Sequence, residues 1–219
     1  MHNKLTKPHA IIFDWDNTLA DTWIIIHQAL NNTFNTFNLP EWSLEETKER
    51  VALSMRDAFP KLFGENVIKA REIYYQSYLE HSKNLYQLFA HAREMLEFAK
   101  NKNILLAVVS NKNGPILRKE VAALNLNQYF HNIIGSMDAE FDKPYPHPVY
   151  KALELSDITA GEHVWFIGDT IVDMECAHRA NLTPIYYGVI NDPSVLAPFN
   201  PQASIKSHQE LIKLIDSAY

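Results

Sequence analysis

The segment 11-IIFDWDNTLAD-21 joins a short apolar run to three carboxylates, Asp14, Asp16 and Asp21. With His9 and Ala10 before it, the run is too short for an ordinary helix and reads as a buried strand that Asp14 closes. A strand and a turn alone need no carboxylates there. Asp16 follows two residues after Asp14, so in an extended or irregular turn both side chains project toward one pocket. Taken alone, such a pair also serves as a helix N-cap or an Asx-turn, and the rest of the chain has to decide between these uses.

Four further apolar runs read as strands: 103-NILLAVVS-110, 132-NIIGS-136, 163-HVWFIGD-169 and 184-PIYYGV-189. Their hydrophobicity is continuous rather than alternating, as expected of strands covered on both faces in a parallel sheet. Helical patterns lie between them at Ala92–Lys100, Pro115–Asn125, Pro148–Leu155 and Thr170–Ala180. Strand alternating with helix predicts an α/β fold with a Rossmann-like parallel sheet.

Residues 21–88 interrupt that alternation. Ile26, Leu30, Phe34 and Phe37 recur at helical spacing, Ser43 with Glu46 forms a capping box, and 65-ENVIKAREIYYQSYLEHS-82 reads as another amphipathic helix. The expected organisation is a core of residues 1–20 and 89–219 with an all-helical cap, 21–88, inserted after the first strand. A cap placed there overhangs the carboxyl ends of the strands, where open α/β sheets bind ligands. The segment Asn191–Pro201 reads as an irregular connection before a short final helix.

Composition narrows the function classes. With 219 residues, 47% of them hydrophobic, the chain can bury a full core. A net charge of −6 disfavours a nucleic-acid or anionic-membrane surface. The single cysteine, Cys176, rules out an internal disulfide framework and any CxxC site, and it fits a reducing compartment, with the cytoplasm as default. No export signal is visible at the N-terminus. No apolar stretch approaches the roughly 18 to 20 residues needed to span a bilayer.

The other strand ends carry Ser110 and Asn111, Lys143 in 141-FDKPYPHP-148, and Asp169 with Asp173 in 168-GDTIVD-173. In a parallel sheet these ends meet on one edge. Carboxylates, a hydroxyl, an amide and a lysine together suit a hard cation and a phosphoryl group, since magnesium takes oxygen ligands and a lysine neutralises remaining phosphate charge.

These motifs resemble those of the haloacid dehalogenase-like hydrolases along essentially the whole chain. "DWDNT" is similar to the family's first motif, Ser110 to its second, Lys143 to its third and "GDTIVD" to its fourth, in the expected order. The inserted helices and "SNK" (Ser110 to Lys112) resemble the phosphoglycolate phosphatase-like branch with a C1-type cap. Two departures stand out: Asn17 replaces a common glycine, and 51-VALSMRDAF-59 lacks the glycine usual before the substrate-facing cap loop. Asparagine enters left-handed backbone readily, so the turn is expected to survive.

The resemblance implies a Mg2+-dependent phosphatase acting on a small phosphorylated metabolite. Asp14 would be the nucleophile that forms an aspartyl-phosphate, and Asp16 the general acid and base. Thr18, Ser110, Asn111 and Lys143 would hold phosphate oxygens. The metal would be held by Asp14, the backbone carbonyl of Asp16, Asp169 and Asp173, the last directly or through water. Arg56, in the cap loop, is the candidate for the substrate's other end.

Alternatives within the same fold are a β-phosphoglucomutase-like mutase and, from another class, a non-hydrolytic phospho-accepting or ligand-binding relative. Neither nucleic acid nor membrane is expected as a partner, and the chain is expected to be a monomer or homodimer. Tyr74, Tyr75 and Tyr78 at helical spacing read as cap core, and Cys176 as packing. The ten histidines form no HExxH pattern, so no zinc site is assigned.

Overall fold

The computed structural model describes residues 5–51, 54–82, 86–190 and 192–219. Residues 1–4 of the expected core, Ala52, Leu53 and 83–85 of the expected cap, and Asn191 of the expected connection lie outside them.

The apolar runs form the strands β1 (Ala10–Phe13), β4 (Leu105–Asn113), β5 (Asn132–Ser136), β6 (Val164–Gly168) and β7 (Thr183–Tyr187). With β8 (Ala203–Ile205) they make one six-stranded parallel sheet in the order β5-β4-β1-β6-β7-β8. β8 was not anticipated, because three residues without a continuous apolar run carry no strand signal of their own. It exists through pairing with β7, where Ile185 faces Ala203 and Tyr187 faces Ile205.

Successive residues of each strand point to opposite faces, so both faces of the sheet are apolar. Ile11, Phe13, Leu106, Val108, Trp165 and Ile167 pack with α5 (Ala92–Asn101), α6 (Gly114–Ala123) and α10 (His208–Ser217). Ala10, Ile12, Ala107, Val109, Val164 and Phe166 pack with α7 (His147–Leu153) and α8 (Ile171–Arg179). The result is the Rossmann-like three-layer core. Within the expected connection, the short α9 (Pro193–Leu196) and a 3-10 turn at Ala197–Phe199 precede β8.

Between β1 and α5 the chain forms α1 (Trp23–Thr36), α2 (Leu44–Arg50), α3 (Met55–Phe63) and α4 (Val67–His81). Their own core is aromatic. Phe34 meets Trp42 and Phe63 with ring centroids 4.7 and 5.7 Å apart, and Phe59 meets Tyr74 edge-on at 5.6 Å. Ser43 and Glu46 close the expected capping box on α2. A two-stranded antiparallel pair, β2 (Ala20–Asp21) with β3 (Gln87–Leu88), ties the two passages between core and inserted helices together. Ile116 of α6 joins the aromatic cluster and seats the helical insert on the core. Among the described residues, no helix is long and apolar enough to cross a membrane.

Candidate active site

Registry on the central strand gathers the site. Phe13 of β1 lies beside Val108 of β4 and Ile167 of β6, so Asp14, Ser110 and Asp169 emerge together at one edge. The chain runs outward from β1 to β4 and β5, then returns to the opposite side with β6, so this edge is a topological switch point. Asn17 takes up the turn after Asp16 with φ of 60°, the left-handed backbone expected of it. Its side chain accepts from Thr22 N–H at 3.2 Å.

Lys143 Nζ lies 2.8 Å from Asp14 Oδ1 and 2.6 Å from Asp173 Oδ1, all three nearly excluded from solvent. Asn111 clamps the backbone of Lys143, accepting from its N–H at 3.0 Å and donating to its carbonyl at 3.1 Å. Asp173 is the N3 residue of a capping box at the start of α8. Its Oδ2 accepts from Thr170 N–H at 3.0 Å and from Thr170 Oγ1 at 2.6 Å. A Cβ on Gly168 would come within 2.4 Å of the Asp173 side chain, so the carboxylate reaches Lys143 only because residue 168 has none.

Among the described residues, the carboxylates of Asp14, Asp169 and Asp173 offer oxygens within 4.8 Å of one another. Burial, with Asp173 adding repulsion, pushes Asp14 up to about 7 although Lys143 opposes the rise. Burial, with repulsion from Asp173 and Asp14, raises Asp169 well above the usual carboxylate range. Lys143 resists the depression that burial imposes and is raised, because Asp14 and Asp173 both hold its proton. Asp14 Oδ1, moreover, touches Lys143 without a well-formed hydrogen bond. All-oxygen donors with uncompensated negative charge fit a hard divalent cation such as magnesium.

Some expected contacts turn out differently. Thr18 is fully buried and does not wall the cavity; its hydroxyl donates to Asp169 Oδ1 at 3.1 Å, so it orients an acid rather than facing a ligand. Arg56 does not reach the cavity either. Its Nε lies 3.3 Å from Asp142 Oδ2 and its Nη1 donates to Glu140 O at 3.2 Å, joining cap to core. Tyr74 and Tyr78 are buried in the cap cluster as expected, yet both, with Tyr75, also line the cavity.

A second buried network was not anticipated. Lys112 Nζ contacts Asp16 Oδ1, donates to Tyr78 OH at 2.8 Å and lies 3.3 Å from Glu120 Oε2. Glu120, wholly buried, also accepts from Trp15 Nε1 at 2.6 Å. Burial would lower Lys112, but Asp16 and Glu120 hold it above its ordinary value. Asp16 takes a further hydrogen bond from Thr22 Oγ1 at 2.7 Å. The signal for this network was present in the sequence: Glu120 interrupts the apolar stripe of Ile116, Leu117 and Val121, and a carboxylate there needs a buried partner.

Residues 11–186 match the profile of the family described as haloacid dehalogenase-like hydrolase. Among curated proteins, the chain is similar to a phosphoglycolate phosphatase of Aquifex aeolicus, 30% identical over 213 residues covering 94% of this chain and 96% of the relative. It is also similar to pyrophosphatase PpaX of Oceanobacillus iheyensis, 27% identical over 210 residues covering 95% and 97%. Among solved structures, a HAD-superfamily hydrolase from Ehrlichia chaffeensis superposes with a TM-score of 0.69 at 32% identity, covering 98% of each chain.

Proposed function

Because this chain belongs to the haloacid dehalogenase-like hydrolases, we propose that it is a magnesium-dependent phosphatase that cleaves a small phosphate monoester through an aspartyl-phosphate on Asp14. The observation that carries the reading is the meeting of Asp14 with Lys143, Asp169 and Asp173 at one sheet edge, beneath a cavity open to solvent at its mouth. The phosphatase relatives support the same reaction class.

In the proposed reaction an Asp14 carboxylate oxygen attacks phosphorus in line and the bond from phosphorus to the ester oxygen breaks. Asp16 gives its proton to the departing alkoxide. It then takes a proton from the water that hydrolyses the acyl-phosphate, so that inorganic phosphate leaves and both aspartates return to their starting state. Thr22 and Lys112 hold Asp16 in a fixed orientation for these transfers. Ser110 and Asn111 line the cavity and Lys143 supplies positive charge toward the phosphoryl oxygens. Asp14, Asp169 and Asp173, with the Asp16 carbonyl, would hold magnesium, which when bound offsets phosphate charge during transfer. Thr18 and Thr170 orient the metal-side acids from behind.

We further propose residues 1–20 and 89–219 as core and 21–88 as cap, a division supported by the pairing of β2 with β3 at the two crossings. A small phosphorylated metabolite is the proposed partner, a monomer or homodimer the proposed state and the cytoplasm the proposed compartment. The test is magnesium-dependent phosphate release from a panel of monoesters. Asp14→Asn should keep its circular dichroism spectrum and lose turnover by at least about a thousandfold, the scale on which essential nucleophiles act. Near-native release by that variant would overturn the assignment.

A further inference from the structure

Above the phosphate-holding floor, the wall of the cavity is apolar and aromatic. It consists of Trp23 and Ile26 of α1, Met55 of α3, Tyr74 and Tyr75 of α4, and Ile116 of α6. A smaller recess shares Ile26, Met55 and Tyr74 with it and runs on into the cap past Leu30, Trp42 and Phe59.

Among the described residues, the cations that line this cavity are paired with acids, and the arginines near it lie outside its wall. Among the described residues that line the cavity, Lys143 is held by Asp14 and Asp173, and Lys112 by Asp16 and Glu120. Arg56 is turned to Asp142; Arg71 donates to the carbonyls of Met55 and Arg56 and, among the described residues, has no carboxylate partner and an unpartnered Nε, but neither arginine lines the cavity. Arg50, at the edge of the smaller recess, is paired with Glu46 at 3.0 Å and lies over the Trp42 ring. Among the described residues that line the cavity, none offers a cation without an acidic partner, so a carboxylate or a second phosphoryl group entering this wall would lose its hydration without a new charge partner there. A flat uncharged ring would instead meet surfaces suited to stacking and apolar contact.

From this arrangement we infer that the preferred substrate is a phosphate monoester whose alcohol part carries a flat, uncharged ring, rather than phosphoglycolate or pyrophosphate. The inference rests on the phosphatase reading and adds the chemistry of the leaving group. Tyr75 and Trp23, both only partly buried, are the ring-contacting residues, and the floor residues serve any phosphate equally.

Benzyl phosphate and ethyl phosphate both release an alkoxide, so their comparison isolates ring contact from leaving-group reactivity. With magnesium present, kcat/KM for benzyl phosphate should exceed that for ethyl phosphate, phosphoglycolate and pyrophosphate by about tenfold or more, the scale set by burying one ring. Tyr75→Ala and Trp23→Ala should each lower the ratio of benzyl to ethyl phosphate turnover severalfold. Met55→Lys, which places a free cation on the wall, should move preference toward phosphoglycolate. Calorimetric titration of the Asp14→Asn protein with the same compounds reads the preference without turnover, and benzyl phosphate should bind most tightly. Equal use of all four compounds, or preference for phosphoglycolate or pyrophosphate, would overturn the inference and leave the phosphatase reading standing. A panel with no turnover at all would sink the phosphatase reading, and the titrations would still decide the ring preference.

Discussion

Lys112 sits where three chemistries meet: the Asp16 carboxylate, the Tyr78 hydroxyl from the cap and the wholly buried Glu120. A buried charge left without its partner is far more costly than a pair removed together. Lys112→Met should therefore destabilise the protein by about 3 to 5 kcal/mol in urea unfolding, because Glu120 and Asp16 lose their shared cation. The double variant Lys112→Met with Glu120→Leu should recover a large part of that loss, and a double-mutant cycle measures the coupling. Additive losses would mean that the two groups do not depend on each other. Burial holds Glu120 above the usual carboxylate range even with Lys112 beside it, which is why its partner matters so much.

Helix α8 does two jobs with one cap. Thr170 satisfies the first turn of the helix in the ordinary way, and the same hydrogen bonds hold the Asp173 carboxylate against Lys143. Helix α2 carries a capping box of the same design, Ser43 with Glu46, on the exposed side of the cap. Removing either cap hydroxyl should cost about 1 kcal/mol of stability. The two variants should part at the metal: Thr170→Ala is expected to raise the magnesium concentration for half-maximal activity by about tenfold, whereas Ser43→Ala leaves it unchanged. Titrating magnesium against initial rate for the two variants checks this, and equal shifts would mean that the α8 cap has no part in setting the metal-side acids.

The molecule as a whole closes α10 onto the turn that follows β1 through His208. Nε2 of this buried ring bonds the carbonyl of Thr18 at 3.0 Å, the ring stacks on Tyr187, and Nδ1 has no hydrogen-bond partner among the described residues. Burial pushes the imidazole down to about 4. Between pH 6.5 and about 4, the unfolded chain therefore takes up a proton at this position that the native state refuses, so stability falls as pH drops. The loss from this group should reach at most about 3 kcal/mol near pH 4. His208→Gln can still donate to Thr18 and does not titrate, so its urea-unfolding free energy should fall less steeply than wild type across that window. Parallel curves would show that His208 contributes nothing to the acid sensitivity.

Local pattern in the sequence determined the core strands, their crossover helices and the helical insertion, because apolar runs and helical periodicity are short-range signals. It also put Asp14 and Asp169 at strand ends, since a parallel sheet brings such ends to one edge, and Lys143 in the stretch that follows β5. Asn17 was legible for the same local reason: its left-handed φ is a property of one residue. The packed structure alone decided that β8 is a strand, because three residues become one only by pairing with β7. It also turned Thr18 toward Asp169 and Arg56 toward Asp142, and joined Trp15 and Lys112 to Glu120. Those choices belong to polar side chains, which take whichever partner burial leaves within reach. Burial is set by elements far apart in the chain, so nothing in the neighbouring residues announces the partner.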